Sequence, residues 1–110
     1  MAYTATHRFA RIAPRKAQLV ADLIRGRKVE DALTQLQLSK KRAAYYFRTV
    51  LNSAVANAEE ADADVRNLVV TESRVDQGPT MKRFQPKDRG RAHNILKRTS
   101  HLVVAVDEKN

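Results

Sequence analysis

Cysteine is absent from all 110 residues. That absence excludes a disulfide framework, thiolate zinc sites, iron–sulfur clusters and a cysteine nucleophile. Long apolar runs are missing too. The longest, Ala43 to Phe47 and Leu102 to Val106, are five residues each, whereas a membrane-spanning helix needs about 20. Met1-Ala2-Tyr3-Thr4 carries no apolar segment of the signal-peptide kind. Glycine is scarce: Gly26, Gly78 and Gly90 are isolated and suit caps and turns, not a phosphate-binding loop. The histidines His7, His93 and His101 lack metal-ligand spacing. No group of titratable residues assembles into a catalytic constellation. The expectation is therefore a non-enzyme with no cofactor, no metal, no membrane association and no small-molecule substrate.

What the chain has is positive charge. Its 21 Lys and Arg against 12 Asp and Glu give a formal charge of +9. Hydrophobic residues make up 43%, close to the share in ordinary globular proteins, so a folded domain is expected. A strongly basic domain points first to a polyanion, of which nucleic acid is the commonest.

The charge is segregated. Between His7 and Lys28 lie Arg8, Arg11, Arg15, Lys16, Arg25, Arg27 and Lys28 against the single acid Asp22. Between Lys82 and Arg98 lie Lys82, Arg83, Lys87, Arg89, Arg91, Lys97 and Arg98 against Asp88 alone. Lys40, Lys41 and Arg42 form a short third block, while residues 59–64 hold four acids and no base. Charge that served solubility alone would intersperse its signs. Segregation predicts a basic face.

Pro14 suits the first position of a helix whose apolar stripe is Ala17, Val20, Ala21 and Ile24. Gly26 fits as the residue that closes it. Val29, Ala32, Leu33 and Leu36 mark a short second helix. Ser39 reads as the N-cap of a third, striped by Ala43, Phe47, Val50, Leu51, Ala54, Val55 and Ala58 and fraying out in the acidic segment. Lys40, Lys41 and Arg42 then fall in its first turn, where the helix dipole disfavours cations. A phosphate bound at that helix start would reverse the penalty. Leu68–Thr71 and Leu102–Val106 read as strands, with a third around residues 4–12. The predicted fold class is α+β: three helices packed on a small antiparallel sheet.

About 18 residues, from Gln77 to Asn94, do not fit a compact domain. If the flanking strands pair, they form the distal part of a long hairpin that projects roughly 30 Å at about 3.3 Å per residue. Such an arm suits folded RNA, into which an irregular basic segment threads by shape and phosphate position. Phe84 is a candidate for stacking on a base. The expected layout is one domain over residues 1–110, with a body at about 1–75 and 100–110 and an arm at about 76–99.

Several stretches then carry a resemblance. They are Pro14-Arg15-Lys16-Ala17 continuing through residues 19–26, Ser53 to Glu59, Gly78-Pro79-Thr80-Met81-Lys82-Arg83, Gly90-Arg91-Ala92, and Ile95 to His101. In this order and spacing the chain resembles the bacterial large-subunit ribosomal proteins of the L-twenty-two family, from about His7 to Val106. The resemblance implies a structural ribosome constituent that binds large-subunit, 23S-type rRNA, assists assembly, and lines the polypeptide exit tunnel with its hairpin arm. It implies rRNA, neighbouring large-subunit proteins and the nascent polypeptide as partners, and a cytoplasmic, ribosomal location.

The expected RNA-binding residues are Arg8, Arg11, Arg15, Lys16, Arg25, Lys40, Lys41 and Arg42 in the body, and Lys82, Arg83, Lys87, Arg89, Arg91, Lys97 and Arg98 along the arm. By resemblance the arm tip comprises Met81, Lys82, Arg83, Phe84, Pro86, Lys87, Asp88, Arg89 and Gly90. The resemblance also implies that macrolides act near it, beside Met81-Lys82-Arg83. Two departures stand out: Ala13 where a capping Ser is common, and an acid, Asp88, within the arm.

Overall fold

A computed structural model describes residues 2–87 and 91–108, with side chains described outside 81–96. In chain order the elements are β1 (Tyr3–Ala10), α1 (Pro14–Ile24), α2 (Val29–Leu38), α3 (Arg42–Glu60), a 3-10 turn (Val65–Asn67), β2 (Leu68–Gln77), β3 (Met81–Lys87), β4 (Arg91–Lys97) and β5 (Ser100–Glu108). β5 is central in a three-stranded antiparallel sheet of order β1-β5-β2, and β3 and β4 form a separate two-stranded ribbon. This is the α+β class expected from the hydrophobic periods.

α1 begins where Pro14 sets it. Ala13 before the proline is extended (φ −67°, ψ 136°) and offers no side-chain cap. Ala17, Val20, Ala21 and Ile24 are buried, as the stripe requires. Gly26 then takes φ +81°, the left-handed turn that only glycine adopts freely. Its N–H donates to the Val70 carbonyl at 2.9 Å, and the Val70 N–H donates to that of Arg27 at 2.9 Å. The turn between α1 and α2 is thereby stitched to β2.

Three local expectations need correction. Ser39 is the C-cap of α2, not the N-cap of α3; α3 starts at Arg42 with Lys41 as its uncapped N-cap. The Ser39 hydroxyl instead accepts from the Lys41 N–H at 3.3 Å. Of the third basic block, Arg42 alone therefore lies inside the helix. The end of α3 does not fray. Asp62 turns left-handed (φ 63°), its N–H donates to the Glu59 carbonyl at 2.9 Å, and the Ala63 N–H reaches back to Ala58 at 3.0 Å. These bonds form a Schellman stop. The strands are also longer than their apolar runs, because β2 continues through the charged segment Glu72–Asp76.

The core lies between the helices and one face of the sheet. Phe47, Ile24, Leu51 and Val20 from the helices meet Leu68, Val70, Leu102, Val104 and Val106 from the strands, all buried. Ser100 anchors the seam: its buried hydroxyl donates to the Ile12 carbonyl at 2.7 Å, linking the start of β5 to the entry of α1. The ribbon β3–β4 continues the line of β2 and β5, with pairs running from Met81↔Lys97 to Lys87↔Arg91. At its base the Gly78 N–H donates to the Thr99 carbonyl at 2.9 Å, and the Thr99 hydroxyl donates to that of Pro79 at 2.6 Å.

Candidate nucleic-acid interface

The three basic blocks are far apart in sequence, and the fold brings parts of each together. The chain leaves β1 at Ala10, bends through Arg11 and Ile12, and enters α1. α3 begins at the same end of the body, and β4 runs back there from the arm. A cleft of about 480 Å³ results, lined by Arg11, Ile12, Ala13, Arg42, Lys97 and Arg98. A neighbouring hollow of about 440 Å³ shares Ile12 and Arg42 and adds Lys16, Leu19, Lys41 and Ala43. Six cations thus line two adjoining hollows, together one basic depression, with no carboxylate among the lining residues. Among the described residues no ion pair neutralises any of them; the pairs fall on Arg25, Arg66 and Arg74.

Two helix starts open onto this depression, and neither has a side-chain cap. A helix start leaves several backbone N–H groups without intrahelical acceptors, and the aligned dipoles there favour negative charge. Unpaired cations beside uncapped helix starts make an environment for phosphate oxygens. Arg42 is held in place: its guanidinium donates to the Tyr46 hydroxyl at 3.3 Å and lies 5.9 Å from the Tyr46 ring centre.

The remaining candidates sit elsewhere. Arg15 and Lys40 are exposed and do not line the depression. Arg8 lines a separate hollow of about 370 Å³ on the face of the sheet away from the helices, with Thr6, Phe9, Arg74, Asp76, His101 and Val103. Arg25 is engaged within the fold. It donates to the Ser73 carbonyl and pairs with Asp22 at 2.8 Å. The Gln18 amide and then the Arg25 guanidinium hold the Asp22 carboxyl below the usual carboxylate range. The backbones of Met81 to Lys87 and of Arg91 form the ribbon. The side chains of Met81, Lys82, Arg83, Phe84, Pro86, Lys87 and Arg91 lie outside the described residues, as do Asp88, Arg89 and Gly90 entirely.

Sequence reasoning passed over Leu19 and Phe9, both exposed at 58%. Leu19 falls off the apolar stripe of α1, which is the signal that separates it from the core. Phe9 sits between Arg8 and Arg11, an aromatic flanked by cations.

Comparison with known proteins decides the family. Residues 5–107 match the family described as "Ribosomal protein L22p/L17e". The chain belongs to this ribosomal protein family. A curated relative, "Large ribosomal subunit protein uL22" of Magnetococcus marinus, is 57% identical over 103 residues, covering 93% of this chain and 91% of the relative. The resemblance carried by the Pro14, Ser53, Gly78 and Ile95 stretches is thereby borne out. As a member of the L22p/L17e family the chain is a structural constituent of the ribosome.

Proposed function

We propose that the chain binds large-subunit rRNA through the six-cation depression, assists assembly of the large subunit, and extends its β3–β4 ribbon along the wall of the polypeptide exit tunnel. The observation that carries the reading is the meeting of Arg11 and Lys16, Lys41 and Arg42, and Lys97 and Arg98 at two uncapped helix starts with no acid among them. Unpaired like charges held together repel one another in the free protein. Phosphates remove that repulsion and release their own counterions, so association is favourable and salt-dependent. The base of the arm opens at the same depression, through Lys97 and Arg98. RNA held there would direct the ribbon between rRNA segments. The partners in this reading are large-subunit rRNA, adjoining large-subunit proteins and, at the arm tip, the nascent polypeptide. The location is the cytoplasmic ribosome.

The test is sedimentation of the tagged chain from lysed cells, with the bound RNA sequenced. The expected result is stoichiometric co-migration with the large subunit at moderate salt. A chain found mostly free, or spread over messenger RNA and DNA, would replace this reading with a general nucleic-acid chaperone.

A further inference from the structure

The hollow around Arg8 differs in chemistry from the six-cation depression. Phe9 stands at its edge with φ 58°, a conformation that bulky residues rarely take. It lies where the β1–β5 register shifts between His7 and Ala10. Bulges of this kind re-aim a side chain. His101 holds the conformation through two contacts. The Phe9 N–H donates to His101 Nδ1 at 3.1 Å, and the two rings meet edge to face with centroids 4.9 Å apart. This fixture does not bury the ring in the core; more than half of it remains in solvent. A backbone held in a costly conformation to present an apolar ring to water points to a ligand that covers the ring.

The other lining groups indicate which ligand. Val103 and the Thr6 methyl offer apolar contact, and Asp76 supplies a carboxylate that would oppose a phosphate. Arg74 is already engaged by Glu72 at 2.6 Å and Asp76 at 2.7 Å. Arg8 is the one cation in the lining that makes no ion pair among the described residues. A flat, mostly uncharged group with a single attached anion fits this arrangement. We propose that Phe9 is the stacking platform for one unpaired RNA base, with Arg8 receiving the phosphate attached to it. The proposal rests on the rRNA-binding reading above and adds to it a base contact outside the depression.

Two variants test it, with protein-free large-subunit rRNA as the probe. Phe9→Gly keeps the backbone, since glycine adopts positive φ freely, and removes the ring. Its thermal midpoint should not fall, while affinity drops about 5- to 100-fold, the usual range for removal of a base stack. The slope of log affinity against log salt should stay unchanged, because no charge is removed. Phe9→Trp introduces the sole tryptophan of the chain. Its fluorescence should be quenched on rRNA binding, with affinity kept.

Unchanged affinity for Phe9→Gly, or an unquenched tryptophan in the bound complex, would overturn the platform and leave rRNA binding standing. Quenching seen only in assembled subunits would also overturn it and assign the ring to a neighbouring protein. Failure of the unaltered chain to bind rRNA would instead bring down the wider reading.

Discussion

Asp62 carries a left-handed backbone that glycine would carry at less cost. It ends α3 at φ 63°, and its carboxylate sits where the helix dipole is negative. Asp62→Gly should relieve both penalties and stabilise the protein by about 0.5–1 kcal/mol. A thermal melt should show a rise of a few degrees; a fall would mean that the carboxylate makes a contact that matters. Gly26 gives the opposite case. A Cβ there would meet nothing within 4 Å, but φ is +81°. Gly26→Ala should therefore cost about 1 kcal/mol through backbone strain alone, and Gly26→Asn less. The two positions explain why one helix end was legible in the sequence and the other was not. Glycine after an apolar stripe announces a stop. An aspartate in a run of acids announces nothing, because the conformation it adopts is imposed by bonds to Ala58 and Glu59 that form only in the finished helix.

Helices and strands show the same division between what periodicity reveals and what meets only in space. The stripes of α1, α2 and α3 were readable because burial forces a 3.6-residue period. The start of α3 was not, since Ser39 is a good capping residue by type but its hydroxyl serves the Lys41 N–H. The depression was half legible: its cations stand out in three blocks, but no local pattern shows that Lys97 and Arg98 fold back beside Arg11. The uncapped helix starts lead to a trade-off that can be measured. Ala13 has N-cap geometry without a capping side chain. Ala13→Asp should stabilise the free protein by about 1 kcal/mol and weaken rRNA binding, since it puts a carboxylate into the depression that Ala13 lines. Ala13→Ser should give the stability without the full drop in affinity. Melts and binding isotherms on the pair decide it; equal binding by both would mean that this helix start faces no phosphate.

The arm base makes a second prediction at this scale. A Cβ on Gly78 would come 2.5 Å from the Thr99 hydroxyl and 3.2 Å from its carbonyl oxygen. Thr99 is buried and bonded to Pro79, so it has little room to yield. Gly78→Ala should therefore break that bond at a cost of about 1–2 kcal/mol. Protection of the residue-78 amide, which donates to the Thr99 carbonyl, from hydrogen exchange should fall before that of β5, and unchanged protection would refute the clash.

The whole molecule is drawn out along one axis. Its extents are 64 × 24 × 16 Å and its radius of gyration is 16.9 Å, against about 13 Å for a compact chain of roughly 100 residues. The excess comes from a two-stranded ribbon set beyond a three-stranded sheet. The core cluster draws on β1, β2, β5, the three helices and the β1–α1 link. A lone two-stranded hairpin is marginal in water, so the body carries the stability and the arm carries charge. Replacing residues 82–96 by an Asn-Gly turn, which closes a two-residue hairpin, removes five cations and the one acid Asp88 and leaves Lys97 and Arg98 in the depression. The body should still fold cooperatively, with its melting midpoint within a few degrees of the parent. Binding to large-subunit rRNA should weaken, and the slope of log affinity against log salt should become shallower by about 3 to 5, nearly one for each phosphate that the arm no longer neutralises. A shortened chain that fails to fold would show that the ribbon supports the core. One that folds and keeps the parent's salt slope would show that the depression at the two helix starts binds the rRNA without help from the arm.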